Sequence, residues 1–170
     1  MIDTGAPSKP GEAESQQRLF SRLKTDEKFL AHLEATEQNL QVPDDQLGQA
    51  QSVEMTQRVF DLIGATNEFL RQLQPEMQSV HKTARDLFLK RFAELESIIT
   101  NPVDYARVVL TIGNDSAVEN LSQKLNWLSA TSVLSVTVAF SAADGQQLTA
   151  DEFCKLRRAC EEILWLDEQC

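Results

Sequence analysis

Residues 87–109 read LFLKRFAELESIITNPVDYARVV and close a long helical pattern that begins near residue 51. Apolar side chains recur along it at helical spacing, among them Val59, Phe60, Ile63, Val80, Phe88, Phe92 and Leu95. Ile63, Leu70, Met77, Ala84 and Arg91 fall seven apart, a heptad-like seam interleaved with polar Asn67, Gln74 and His81. The pattern predicts one helix over 51–99, roughly 70 Å long at a rise of ~1.5 Å per residue. Pro75 predicts a kink at Gln74. A helix of that length outruns a small globule and needs a second helix beside it.

The C-terminal stretch supplies one. Thr149 with Glu152 forms a capping box, Leu148 with Phe153 a hydrophobic staple, and Leu156, Cys160, Ile163 and Leu166 a seam. Between the two helices, Asn101-Pro102 ends one helix and starts the next, which buries Val103, Ala106, Val109 and Leu110 and stops at Gly113-Asn114. Ser116 with Glu119 opens a short helix carrying Val118, Leu121, Leu125 and Leu128. Residues 131–140, TSVLSVTVAF, have strand propensity. A lone strand has no pairing partner here, so a buried helix is predicted.

These signals define an all-α fold: an antiparallel helical coiled-coil stalk (51–100 and 148–170) with a small helical tip inserted over 101–147. N-terminal helices and a linker occupy 15–50, where Leu19, Phe20, Leu23, Phe29, Leu30 and Leu33 form the apolar face, and a disordered leader occupies 1–14. An antiparallel register sets Leu95 opposite Thr149, Arg85 opposite Ala159 and Pro75 opposite Gln169.

Composition narrows the function classes. The 170 residues are 42% hydrophobic with 6 Gly and 5 Pro, which fits one helix-rich domain with a modest core. A net charge of -10 argues against a broad basic coat for nucleic acid. No 18-residue apolar run or signal sequence is present, so no membrane partner is expected. Cys154, Cys160 and Cys170 are odd in number and the first two lie on different helix faces, which predicts free thiols in a reducing compartment. No Cys or His pair has metal-ligand spacing, and no nucleophile, phosphate-loop or zinc-protease motif occurs. Glu94 and Glu96 point to different faces and form no acid–base pair. Catalytic, metal, cofactor and small-molecule substrate sites are therefore not expected.

Two sets of residues are candidates for contact. Lys82, Arg85, Lys90 and Arg91 lie opposite Lys155, Arg157 and Arg158 in the antiparallel register, a band placed to meet RNA phosphate or a partner. The same cations suit a solvated face paired with Glu94, Glu96, Glu152 and Glu161, and the acidic balance of the chain favours that. Tyr105 and Trp127 are candidate anchors of a tip interface, with core packing as the alternative for each; Trp165 has the same two readings. His81 on the seam reads as a hydrogen-bonded or partly exposed residue, with a pH-sensitive contact as the alternative.

Three separate blocks go further: KRFAELESIITNPVDY (90–105), TIGN (111–114) and GQQLTADEFCKLRRACEEIL (145–164). In this order they resemble the central coiled-coil region of the Nop family. The matching positions are Lys90, Arg91, Phe92, Glu94 to Ser97, Asn101, Asp104, Tyr105, Gly113, Asn114 and Gly145 to Leu148. Ala93 stands where the family has Pro, and Phe88 where it has Tyr. The resemblance covers about 15–170, and GQQL is similar to the U4/U6 snRNP branch rather than to the box C/D snoRNP branch. It implies a nuclear, non-catalytic splicing scaffold that helps assemble or bridge the U4/U6.U5 tri-snRNP. The implied partners are the U4/U6 snRNP with its kink-turn-binding protein, met through a Gly- and Ala-rich globular module not seen in this sequence, and a U5 snRNP protein at the tip or N-terminal helices. The alternatives are a box C/D snoRNP core protein in rRNA modification and a free-standing helical adaptor with no RNA role. The helical pattern reaches Cys170 without a stop signal, which reads as a fragment of a longer protein.

Overall fold

The computed structural model describes residues 22–40, 53–115 and 118–169, and every regular element among them is helical. The expected leader, the linker over 41–51, the first part of the N-terminal helices, the Ser116 cap and Cys170 lie outside the described residues.

A 3-10 turn, Arg22–Thr25, leads into α1, Glu27–Leu40. Asp26 caps α1, its Oδ1 accepting from the backbone N–H of Lys28 (2.9 Å) and Phe29 (3.4 Å). The long helix α2, Val53–Phe88, runs for 36 residues, or roughly 54 Å at ~1.5 Å per residue, and carries Pro75 inside it.

α2 ends at Phe88 and not at Ile99, as the periodicity alone would have it. Residues 89–94 turn, and a short helix α3, Leu95–Ile98, follows. The cause is tertiary. The Lys90 carbonyl, which an unbroken helix would give to Glu94, instead accepts from Gln146 N at 3.0 Å. A segment distant in sequence thus takes over the end of α2.

The other boundaries follow local chemistry. α4, Pro102–Ile112, starts on Asn101, whose side chain accepts from Val103 N (2.9 Å) and Asp104 N (3.1 Å). It stops at Gly113, whose φ of 62° favours glycine. α5, Leu121–Lys124, is a single turn. α6, Ala130–Ala142, is capped by Ser129, whose Oγ accepts from Ser132 N at 3.1 Å. α7, Ala150–Glu168, opens with the complete Thr149–Glu152 capping box.

α2 and α7 make the most extensive helix pair, and α4 packs against both. Lys90 meets Glu152 at 2.6 Å, while Phe29 touches both Phe69 (5.1 Å) and Trp165 (6.3 Å), so residue numbers fall along α2 as they rise along α7. The pairing is antiparallel. The core is formed by Leu73, Met77, Val80, Ala84 and Phe88 of α2, by Leu156, Ala159, Cys160, Ile163 and Leu166 of α7, and by Tyr105, Ala106, Val108, Val109 and Ile112 of α4. The seam is not covered throughout: Met77 and Ala84 are buried, whereas Ile63 and Leu70 are exposed. α1 lies beside α2, fixed by the Phe29–Phe69 contact and by His32 Nε2 to Thr66 Oγ1 at 3.0 Å. Lys24, just before α1, pairs with buried Glu162 of α7 at 2.9 Å and lies over the Trp165 ring at 4.9 Å.

The helix over 130–142 is confirmed where propensity favoured a strand, but it is buried on one side only. Val136 and Phe140 face inward, whereas Leu134 and Val138 are exposed.

Candidate functional site

The three blocks KRF, GN and GQQL converge on one buried arginine. Arg91, almost fully buried, donates from Nη2 to the Asp115 carbonyl (2.6 Å) and from Nη1 to the Gly145 carbonyl (3.4 Å). Its guanidinium carbon lies 5.4 Å from the Phe140 ring centroid. No acidic side chain pairs with it among the described residues. Arg91 sits instead just past the C-terminus of α2, and its two carbonyl partners lie just past the C-termini of α4 and α6. Helix C-termini carry partial negative charge, which favours a cation in the turns that follow them. Asn114 adds a pair of hydrogen bonds to the same assembly: its Nδ2 donates to the Leu148 carbonyl (2.9 Å) and its Oδ1 accepts from Leu148 N (2.8 Å).

Each of the other candidate cations has a defined place. Arg85 is half-buried and paired with Glu96 of α3. Lys90 is exposed and bridges to Glu152. Lys155 pairs with Asp151 at 2.7 Å and Arg157 with Glu161 at 2.8 Å, both one turn apart on α7. Lys82 and Arg158 are exposed, with no acidic partner among the described residues. Four of the seven therefore sit in ion pairs, one is an interior hub, and two point to solvent unpaired. Glu96, Glu152 and Glu161 take the pairing role that the acidic balance favours.

The two tip aromatics separate. Tyr105 is a core residue, edge-on to His81 at 5.0 Å between centroids. Burial, with smaller contributions from Cys160 and Glu96, pushes its phenol above the ordinary range. Trp127 is 38% exposed, with the Arg107 guanidinium carbon 5.8 Å from its ring centroid and Arg107 Nη2 4.0 Å from Asp167 Oδ2. Arg107 was not legible as a site residue, because nothing in the linear pattern brings it to Trp127. Among the described residues no cluster of three His, Cys, Asp or Glu side chains is placed to hold a metal ion, and no helix is long and apolar enough to cross a membrane.

His81 is buried and its Nε2 has no hydrogen-bond partner. Burial first, and the Arg85 charge second, lower its pKa, with Glu96 opposing. Its folded pKa lies below the unfolded value of 6.5, so its contribution is complete above pH 6.5 and is lost as pH falls through the folded pKa. Glu152, held down to about 2 by Lys90 and by the Thr149 backbone and side chain, acts lower: its contribution is complete above its ordinary 4.5 and is lost between there and about 2. Urea midpoints should therefore begin to fall just below pH 6.5 and fall again below pH 4.5. The substitution His81→Gln should flatten the first descent. A parent protein with one flat plateau down to pH 4.5 contradicts the His81 placement.

The thiols differ likewise. Burial pushes Cys160 up to about 12, while Cys154 is exposed and free. In a Cys170→Ser background, Ellman's reagent should label Cys154 promptly and Cys160 only on unfolding. Two prompt thiols there would show that α7 does not pack as described.

The family model described as "snoRNA binding domain, fibrillarin", named Nop, matches residues 69–169. The chain belongs to the Nop family. Within that family the similar curated proteins are U4/U6 small nuclear ribonucleoproteins Prp31. The Xenopus laevis protein is 36% identical over 113 residues, and the Homo sapiens protein 37% over 112. The Arabidopsis thaliana homolog is 32% identical over 108. Each comparison covers 64% of this chain and 22% of the relative, so the chain matches about a fifth of the length of these proteins. The Nop match starts at residue 69, so it takes in the covered part of α2, the tip and α7.

Proposed function

We propose that this chain is the stalk-and-tip part of a nuclear U4/U6 snRNP protein, a non-catalytic scaffold that helps assemble or bridge the U4/U6.U5 tri-snRNP. The observation that carries the reading is the Arg91 hub. It locks the end of α2 to the start of α7 through GQQL, the block that distinguishes the U4/U6 branch, and the similar proteins bear the U4/U6 name. Such a hub fastens the segments that follow α4 and α6 to the end of α2, and a spacer between partners requires fixed joints of this kind. RNA with its kink-turn-binding protein is met elsewhere in the longer protein, and a U5 snRNP protein at the tip or N-terminal helices. Lys82 and Arg158, exposed and without an acidic partner among the described residues, are the cations of the band best placed to touch phosphate or an acidic partner.

The word snoRNA in the family description favours a second reading, a box C/D snoRNP core protein in rRNA modification. Precipitating the native protein from nuclear extract and sequencing the bound RNA separates the two. U4 and U6 are expected. Box C/D guide RNAs would replace the splicing reading by the second, and absence of RNA would leave a helical adaptor.

A further inference from the structure

We propose that the α2–α7 pair carries, beside Trp165, a recess for a helix with an aromatic residue in its first turn and a cation five residues before it. Residues 22–29 fill that recess in cis, and a partner-protein helix of the same chemistry can take it over. The inference goes beyond the splicing reading and does not rest on it.

The recess combines a buried carboxylate with two aromatic rings. Glu162 of α7 is 2% exposed, and Lys24 Nζ meets its Oε2 at 2.9 Å. The same Nζ lies over the Trp165 ring, 4.9 Å from its centroid. Phe29, fully buried, sits edge-on to Trp165 at 6.3 Å and to Phe69 of α2 at 5.1 Å. Trp165 therefore receives the cation and the aromatic ring together. At the rim, Glu76 of α2 accepts from the backbone N–H of Arg22 at 3.2 Å.

The occupant is lightly held. The Lys24 side chain is 45% exposed, so water reaches the ion pair that covers Glu162. α1 has 14 residues, a marginal length for a helix by itself, and packs on α2 far less extensively than α7 does. It also lies ahead of residue 69, where the Nop match begins. A buried carboxylate closed by a lysine adds little stability over apolar side chains of the same volume, and suits selection of a partner better.

Charge and shape define the ligand. Glu162 and Glu76 repel phosphate once the cis segment leaves, so RNA is the poorer occupant and a cationic helix the better one. The segment RLKTDEKF (22–29) states the pattern: Lys24 for the carboxylate and the Trp165 face, Asp26 as the helix cap, and Phe29 for the two rings.

The test uses the full chain carrying Trp127→Phe, which leaves Trp165 as the one tryptophan. Hydrogen exchange should show α1 amides opening locally, at least about tenfold faster than buried amides of α2 and α7. Lys24→Gln should speed α1 further and leave the α2 and α7 amides unchanged. A fluorescein-labelled peptide of residues 22–40 is then titrated. It should bind the Lys24→Gln, Phe29→Ala chain about tenfold more tightly than the chain whose recess is filled in cis, and should shift Trp165 emission as it binds. The same peptide with Lys24→Gln should bind about tenfold more weakly. Adding Glu162→Gln to the opened chain should erase the difference between the two peptides. A capped helical peptide of unrelated sequence that keeps only the Lys, the Asp and the Phe at these spacings should compete. The proposal is overturned if α1 exchanges only with global unfolding, if the peptide binds neither chain or both alike, or if the Lys and Gln peptides bind equally. It is also overturned if the unrelated helix fails to compete, if single-stranded RNA competes, or if sedimentation reveals a dimer held by exchanged α1 segments.

Discussion

Replacing Gly145 by Ala should lower stability by at least about 3 kcal/mol and the melting temperature by roughly 6–12 °C. A Cβ built on Gly145 would lie 1.7 Å from the Arg91 carbonyl oxygen and 2.4 Å from its carbonyl carbon. Both are backbone atoms, so no rotamer change relieves the contact and the segment must lift away. Lifting it removes the Gln146 to Lys90 bond that ends α2 and pulls the Gly145 carbonyl from Arg91. The requirement is close approach and not backbone conformation, because Gly145 is absent from the positive-φ residues while Gly113 is among them. Gly113→Ala therefore makes an informative contrast. Its added Cβ has ordinary room, with Phe153 Cζ at 3.9 Å, so the cost is that of holding a side chain at φ 62° and ψ -142°, outside the left-handed helical region, roughly 1–3 kcal/mol. A Gly145→Ala protein melting within about 2 °C of the parent would mean that the GQQL segment does not lie against Arg91.

The same contact explains what was and was not legible in the sequence. Local chemistry placed the Asn101 cap, the stop at Gly113 and the Thr149–Glu152 box, because each depends on residues within a turn of one another. Heptad spacing marked Met77 and Ala84 as buried for the same reason. It failed at the end of α2, where residues 89–94 have no local reason to stop a helix and the Lys90 carbonyl is claimed by Gln146 instead. It failed also in reading Arg91 as part of a basic band. Neighbouring Lys82, Arg85 and Lys90 make a cationic cluster in one dimension, and only the folded chain turns Arg91 inward onto Asp115 and Gly145. Leu134 and Val138 were hidden by the opposite fault: a helix without charges reads as wholly buried, and an uncovered face leaves no mark in composition. The residues that carry the family resemblance are thus largely the ones that hold the tip to the helix pair. They identify the fold more directly than they identify a contact surface.

Arg91→Ala should cost about 4 kcal/mol, since it removes two hydrogen bonds from a charged donor at about 1.5–3 kcal/mol each and leaves two carbonyls without their donor. Two further substitutions separate the causes. Arg91→Lys keeps the charge in the turn after α2 but cannot span two carbonyls with one planar group, so it should lose about 2 kcal/mol. Arg91→Met keeps volume and removes both the bonds and the cost of burying a charge, so it should be less damaging than Ala. If Lys were as stable as Arg, charge near the helix ends would be the whole effect and the carbonyl geometry incidental. If Met equalled Ala, packing against Phe140 would contribute nothing. Coupling decides the remaining question. Gly145→Ala already withdraws one of the two carbonyls, so adding Arg91→Ala should cost less than the sum of the single losses. Additive losses would mean that Arg91 is held by Asp115 alone, and that GQQL reaches α2 only through the Gln146 to Lys90 bond.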